Sequence, residues 1–315
     1  MKKSLKIGTR ASKLAMWQDN WVKSALIEAY PQQNIELITI KTKGDKILDV
    51  PLAKVGGKGL FVKEIEQALL DGRIDIAVHS MKDMPAEIPA GLCIGAIPTR
   101  EDPSDVLISK NGLHFSKLKQ GDIIGTSSLR RGAQIRHMRP DIMIVPLRGN
   151  VETRLKKLQT ENLDAVVLAA AGVKRLNLEH RITERLKSDI MLPAVGQGAL
   201  SIEIRQNDPD IQPMIRALDD PHTHAIVRGE RAFLNHLGGS CQVPIAGHGV
   251  INRNTFSLTG LVADLDGSRM LKATVSGSAD STETIGIRLA SQLLDQGADK
   301  ILEQLQSMES AYHGS

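Results

Sequence analysis

The sequence predicts an α/β protein of two lobes facing one cleft, followed by a small C-terminal α+β domain. Three observations carry this expectation. Short apolar runs alternate with amphipathic stretches of helical spacing as far as Arg205, which is the pattern of βα units. The order of those units recurs once along the chain. After Pro221 the pattern changes to one helix followed by strands of period two.

The first unit is a strand over 5–9, then Arg10, then Ser12 as the N-cap of a helix over 13–29. I-E-L-I-T-I-K, 35–41, is a second strand. The stretch 42–59 holds T-K-G-D-K and K-V-G-G-K-G, and its glycines, with Lys54 and Lys58, predict a mobile basic loop. A helix over 60–70 stops at Asp71-Gly72. The apolar run 74–78 reads as a buried strand. It opens into a polar loop with His79, Ser80, Lys82 and Asp83, and Pro85 ends further pairing. Ligands of open α/β sheets sit beyond the carboxyl ends of the strands, so Asp83 stands where a ligand would be. Taken alone, the loop reads first as a solvated turn with one Lys–Asp pair, and it is the rest of the chain that points to a site. A strand over 92–97 places Cys93 in the core.

The pattern then restarts. Ile123-Ile124-Gly125-Thr126 echoes Ile7-Gly8-Thr9, and Ser127, Ser128, Arg130 and Arg131 open a helix to about Met138. A strand over 142–146 follows, then Arg148-Gly149-Asn150 and a helix over 151–159. N-L-D-A-V-V-L repeats the earlier R-I-D-I-A-V. Such an echo marks two related lobes, although short βα units also converge by chance. Polar segments at 100–104 and 191–199 read as crossings between the lobes, and 199–205 as a strand returning to the first. This divides the chain into 1–98 with 199–217, 99–198, and 218–315. The last part is a helix over 222–237, strands over 246–251, 256–263 and 270–275 with Asp266-Gly267 as a hairpin turn, and a helix over 281–294.

The chain has 315 residues, 41% hydrophobic and 24% charged, an ordinary globular balance. Net charge is +4 and aromatics are 3%, which argues against nucleic acid, since bases need stacking platforms. No apolar run reaches a membrane span, and the basic N-terminus lacks the apolar core of a secretory signal. Cys93 and Cys241 are far apart, with no metal or disulfide spacing. A cytoplasmic protein with free thiols is the expectation.

Basic residues recur at element junctions: Arg10, Lys54, Lys58, Lys82, Arg130, Arg131, Arg148, Arg154 and Arg175. Beside them, Ser12, Thr126, Ser127 and Ser128 offer hydroxyls and helix-start N–H groups that favour an anion. Arginine grips carboxylate or phosphate bidentately. Together they predict a ligand with many anionic groups: a polycarboxylate, a polyphosphate or nucleic acid. A P-loop is absent, and the G-x-G at 57–59 is no dinucleotide fingerprint. Cys241 lies in G-G-S-C after the predicted helix. Either it is an accessible thiol able to act as nucleophile or covalent tether, or it is a buried structural cysteine. His236, at a helix end, is expected at the surface.

The segments G-T-R-A-S-K-L-A, K-G-L-F-V-K-E-I-E, D-I-A-V-H-S-M-K-D-M-P, G-T-S-S-L-R-R, L-R-G-N-V-E-T-R-L, A-A-A-G-V-K-R-L, L-P-A-V-G-Q-G-A-L and G-G-S-C-Q-V-P-I occur in that order. Over roughly 4–250 the chain thereby resembles the porphobilinogen deaminase (hydroxymethylbilane synthase) family. The resemblance implies two periplasmic-binding-protein-like lobes around a cleft, with the third domain presenting a cofactor. It implies a dipyrromethane held by a thioether to Cys241, and Asp83 as the catalytic residue. It assigns Lys82, Thr126, Ser127, Ser128, Arg130, Arg131 and Gly172 to cofactor binding. Arg10, Ser12, Lys58, Ser80, Arg148, Arg154, Arg175 and Gln197 go to substrate binding, with no metal. The implied reaction condenses four porphobilinogen molecules head to tail on the primer, releasing hydroxymethylbilane and ammonia in haem biosynthesis. A monomer without nucleic-acid or membrane partners is expected. The competing reading, a two-lobed module that binds or senses an anionic solute, explains the arginines but not an accessible Cys241 or Asp83 beside them.

Overall fold

A computed structural model describes residues 4–42, 62–239 and 243–313. The first lobe opens with β1 (Ser4–Thr9), α1 (Lys13–Ala29) and β2 (Asn34–Thr39), and continues with α2 (Lys63–Leu70), β3 (Ile76–Ser80) and β4 (Leu92–Ala96). The second contains β5 (Asp105–Ser109), β6 (Ile123–Gly125), α3 (Leu129–Met138), β7 (Met143–Val145), α4 (Val151–Thr160), β8 (Ala165–Ala169), α5 (Ala170–Arg175) and β9 (Glu184–Leu186). The chain then returns through β10 (Leu200–Arg205) and α6 (Gln212–Arg216). Last come α7 (Pro221–His236), β11 (Ile245–Asn252), β12 (Thr255–Ala263), β13 (Met270–Ser278), α8 (Thr282–Leu293) and α9 (Asp299–His313).

The sheet orders are β2-β1-β3-β10-β4 and β7-β6-β8-β5-β9. In each, the first three strands are parallel, and the fourth runs antiparallel to both its neighbours. The sequence echo is thus a topological one, with β1, β2 and β3 answering to β6, β7 and β8. The antiparallel strand of each lobe is the one that follows a crossing. Central strands are buried on both faces, which is why 76–78 and 165–168 read as unbroken apolar runs rather than alternating ones. Leu5, Ile7, Ile76, Ile202 and Ile204 form one lobe's core with Val22 and Leu26 of α1. Val106, Ile108, Val166 and Leu168 form part of the other's. Each such side chain contributes about 1.5–3 kcal/mol on burial.

The third domain packs α7 and α8 on the antiparallel sheet β11-β12-β13, around Phe233 and Phe256. Asp266-Gly267 does make the turn between β12 and β13, with Gly267 at φ 75°. That hairpin docks on α3 of the second lobe, where Arg136 Nη1 donates to Leu265 O at 2.9 Å. The domain is also fastened to both crossings. The buried Glu230 of α7 accepts from Arg100 Nη1 (2.7 Å) and Nη2 (3.2 Å), from Gly196 N (2.7 Å) and from Gly249 N (2.8 Å). The crossings touch each other so closely that a side chain at Gly198 (φ 90°) would strike the Glu101 carbonyl.

Several expectations need correction. The strand expected over 74–78 lies at Ile76–Ser80, so His79 and Ser80 belong to the sheet rather than to a loop. Strands β5 and β9 and helices α6 and α9 were not foreseen. Cys93 is half-buried, at the margin of the first lobe's core. His236 is exposed, beside Ser291. The expected basic loop, with Lys54 and Lys58, lies almost wholly outside the described residues, as does Cys241. No described helix is long and apolar enough to cross a membrane.

Candidate active site

The carboxyl ends of β1 and β3 lie side by side, because Gly8 pairs with Ala77 in a parallel register. Arg10 leaves one end. Ser12 caps α1 by accepting from Ala15 N at 3.3 Å. Ser80 closes the other end, and its Oγ accepts from Gln18 Nε2 of α1 at 2.9 Å. Met81–Asp83 then makes a single 3-10 turn. Met81 and Met84 are each only 2% exposed and sit in an apolar cluster with Val62, Ile97, Ala199 and Val227. Met81 N also donates to Ala199 O at 3.0 Å. The pattern M-K-D-M is therefore two apolar anchors gripping the core with a lysine and an aspartate held between them. Asp83 is exposed. Arg231 of α7 fixes the chain just beyond, donating from Nη2 to Pro85 O (2.9 Å) and Ala86 O (2.8 Å).

The second lobe repeats the arrangement. Beyond β6, Thr126 Oγ1 accepts from Ser128 N at 3.2 Å, and Ser128 caps α3 through Arg131 N at 3.4 Å. Ser127 Oγ bonds both Leu147 O (2.9 Å) and Leu147 N (3.0 Å), tying that loop to the segment bearing Arg148. Arg154 Nε donates to Gly149 O at 2.8 Å. Gly172 lies in α5, beside Leu14 and Val151.

Arg130 and Arg131 are each 5% exposed, and both grip Asp105 at the start of β5. Arg130 reaches it at 2.7 Å and 3.2 Å, Arg131 at 2.7 Å and 2.9 Å. Arg130 also donates to Leu192 O and Arg131 to Val167 O. Burial alone would raise the Asp105 carboxyl, but the two guanidiniums override it and hold it well below the usual carboxylate range. Asp105 was missed in the sequence. Its only trace in the sequence is a charge opening the apolar run V-L-I.

The electrostatics unite the two lobes. Burial pushes Lys82 down to about 8, and the nearby Arg131 lowers it further, while Asp83 and Asp105 oppose the shift. Arg154 falls to about 10, first by burial, then through Arg131, with Asp83 opposing. Burial lowers Arg148 as well. Lys82 and Asp83 thus share one field with Arg130, Arg131, Arg148 and Arg154: five cations against the carboxylates of Asp83 and Asp105. Lys82 Nζ also donates across to Gln197 Oε1 at 3.3 Å. Gln197 is wholly buried at the second crossing, and its Nε2 donates to Pro103 O at 2.7 Å. Arg175 lies apart, donating from Nη2 to Gly198 O at 2.8 Å. Lys58 and Cys241 fall outside the described residues. A surplus of partly desolvated cations in one cleft suits a ligand with several carboxylates, which would return each cation toward its ordinary basicity. The residues present therefore fit a polycarboxylate cofactor.

Fold and site define a two-lobed α/β protein with a surplus of partly buried cations gathered from both lobes, its third domain fastened to the hinge. Residues 5–213 match the family described as "Porphobilinogen deaminase, dipyromethane cofactor binding domain" and residues 225–295 its C-terminal domain. The porphobilinogen deaminase of Syntrophotalea carbinolica is 55% identical over 302 residues, 96% of each chain. That of Geobacter metallireducens is 56% identical over 309 residues, 98% of this chain and 97% of the relative. Among solved structures, the periplasmic aliphatic sulphonate binding protein SsuA of Escherichia coli matches 75% of this chain and 70% of its own, at 15% identity and a TM-score of 0.40. The chain belongs to the porphobilinogen deaminase family. Its cofactor is dipyrromethane, and its activity is that of a hydroxymethylbilane synthase of tetrapyrrole biosynthesis.

Proposed function

We propose that Asp83 is the carboxylate on which this reaction turns, and that the surrounding cations hold the substituent carboxylates of cofactor and substrate. One observation carries the reading. Asp83 is an exposed anion, pinned by Met81 and Met84 at a strand end, inside a field of five cations contributed by both lobes. A cleft meant only for anions gains nothing from an exposed carboxylate at its centre.

When bound, dipyrromethane supplies a free pyrrole carbon as nucleophile and an anchor for the product chain. Cys241, in the G-G-S-C segment that follows α7 in sequence, is its attachment point by thioether. Lys82, Thr126, Ser128, Arg130, Arg131 and Gly172 hold its carboxylates, and Ser127 keeps the neighbouring loop in place through Leu147. Arg10, Ser12, Lys58, Ser80, Arg148, Arg154, Arg175 and Gln197 receive porphobilinogen. As porphobilinogen loses ammonia, positive charge develops on its pyrrole nitrogen. A fixed carboxylate at Asp83 accepts the N–H and stabilises that charge where it forms, and can accept a proton as the ring regains aromaticity. The arginines fix orientation, which lowers the entropic barrier to carbon–carbon bond formation.

We further read the chain as a cytoplasmic monomer without nucleic-acid partners, divided at 1–98 with 199–217, 99–198 and 218–315. Balanced charge and scarce aromatics support the absence of nucleic acid. Asp83→Asn tests the central claim. It keeps the size of the side chain and removes its charge. On confirmed holoenzyme, single-turnover rates should fall at least about 10²–10³-fold, with the fold and the attached cofactor retained. Wild-type turnover would reduce Asp83 to a turn residue.

A further inference from the structure

Arg175 differs from the other cleft cations. It is the last residue of α5, is 7% exposed, and makes one hydrogen bond among the described residues, from Nη2 to Gly198 O. Burial pushes it down to about 10, and Glu101 only partly offsets this. The Glu101 carboxylate is itself engaged by Lys174 at 2.7 Å. What covers the guanidinium is an aromatic face: its central carbon lies 5.6 Å from the ring centroid of Trp17. Trp17 belongs to α1 of the first lobe and Arg175 to the second. The two helices meet where Leu14 packs beside Gly172, and next to them Lys13 of α1 pairs with Glu152 of α4 at 2.6 Å.

A guanidinium held over an aromatic face by cation–π attraction is restrained while its edge N–H groups remain available. One edge donor is spent on Gly198 O, and the rest of the fork is left for an incoming carboxylate. We propose that Trp17 is a positioning residue of the condensation reaction. Its indole, carried on the first lobe, holds the Arg175 guanidinium of the second lobe in the plane from which it grips a pyrrole carboxylate. Without the ring, the side chain is drawn toward Glu101 and loses that orientation. The proposal rests on the reading of Arg175 as a substrate-carboxylate ligand.

The test is a double-mutant cycle on holoenzyme whose cofactor is confirmed by intact mass. It compares wild type, Trp17→Leu, Arg175→Leu and the double variant for KM and kcat with porphobilinogen, with thermal stability recorded for each. A desolvated cation–π contact corresponds to about a 5- to 30-fold change in an equilibrium constant. Trp17→Leu should raise KM by about that factor with kcat little changed, the signature of lost uniform binding. The double variant should be no worse than Arg175→Leu alone. Trp17→Phe, which keeps an aromatic face, should restore most of the affinity, and Trp17→Met, which fills space without one, should not. Should Trp17→Leu fail to yield holoenzyme, the Phe and Met variants alone decide. An equal rise in KM from Trp17→Leu in both backgrounds, or equal behaviour of Phe and Met, overturns the proposal and leaves the role of Arg175 standing. A wild-type KM in Arg175→Leu overturns that role, and the proposal with it.

Discussion

Asp105→Asn is the sharpest probe of how this cleft is built. The carboxylate is fully buried and is shared by Arg130 and Arg131, which are themselves almost fully buried. The substitution leaves volume unchanged but deletes the single anion between two guanidiniums. It also turns an amide NH₂ toward donors on at least one side. Removing one partner of a buried ion pair costs about 3–5 kcal/mol, because the remaining charge has lost its solvent and its partner. At about 2–4 °C per kcal/mol for a chain of this class, the melting temperature should drop by about 6–20 °C. The dependence on pH gives a second reading. A carboxyl held below its ordinary value of 3.8 contributes stability that is fully present above that value and is lost as pH falls through the lower, folded one. Wild type should therefore lose stability steeply in acid, and the Asn variant, lacking this group, should show a shallower acid limb. Thermal melts from below about pH 2 up to pH 8, on protein freed of cofactor and on holoenzyme, supply both numbers. Cofactor carboxylates bound near Arg130 and Arg131 should recover part of the loss in the holo form. A variant as stable as wild type at pH 7 would refute the reasoning, since it would mean that the two arginines do not need their anion.

Other outcomes can be checked with simpler measurements. Purified protein should exceed its sequence mass by two linked pyrrole units, and Cys241→Ser should lack them; full activity from an unmodified wild type contradicts the thioether. Arg154→Leu removes a cation from the field around Asp83 and Arg131, and should weaken porphobilinogen binding by about 10- to 100-fold, the worth of a charged hydrogen bond; an unchanged KM places that arginine outside the substrate path. Asp19 of α1 is almost completely buried, and burial raises its carboxyl to about 7, with Thr9 and Arg10 opposing. The folded chain then keeps a proton that the unfolded chain releases near pH 4, so stability should decline as pH rises from about 4 to 7 and level off above. Asp19→Asn should remove that decline and gain up to about 4 kcal/mol at pH 8; an unaltered pH profile rules out a protonated Asp19.

The sequence carried the regular elements of this fold because their causes are local. Ser12, Ser128 and Asn150 cap helices with their own side chains, and each lies where a polar residue precedes a helical period. Doubly covered strands announce themselves as apolar runs. Elements whose existence depends on a distant partner stayed hidden. β9 spans Glu184–Leu186 and becomes a strand only because β5 stands beside it. β5 in turn starts at a residue whose charge matters only once Arg130 and Arg131 arrive from α3. The same distinction separates the cleft residues. Arg10, Lys82, Arg148 and Arg154 could be read from junction positions, since an arginine after a strand is visible in one dimension. Gln18 and Trp17 could not. They sit mid-helix, where polar and aromatic side chains usually mean surface or core, and they acquire meaning only across the gap to Ser80 and Arg175.

The buried polar groups that the sequence concealed are also those that join one part of the molecule to another. Glu230 reaches from the third domain to both crossings. Arg231, one position further on the same helix, holds the backbone beyond Asp83. That helix ends immediately before the segment containing Cys241. A displacement of α7 therefore bears at once on the hinge and on the Asp83 turn. The turn that bears the carboxylate proposed to meet developing charge is thus fastened to the helix that the cysteine-bearing segment follows in sequence. Because Glu230 and Arg231 are neighbours on α7, the Asp83 turn and the two crossings are tied to one helix, and a change at either is felt at the other.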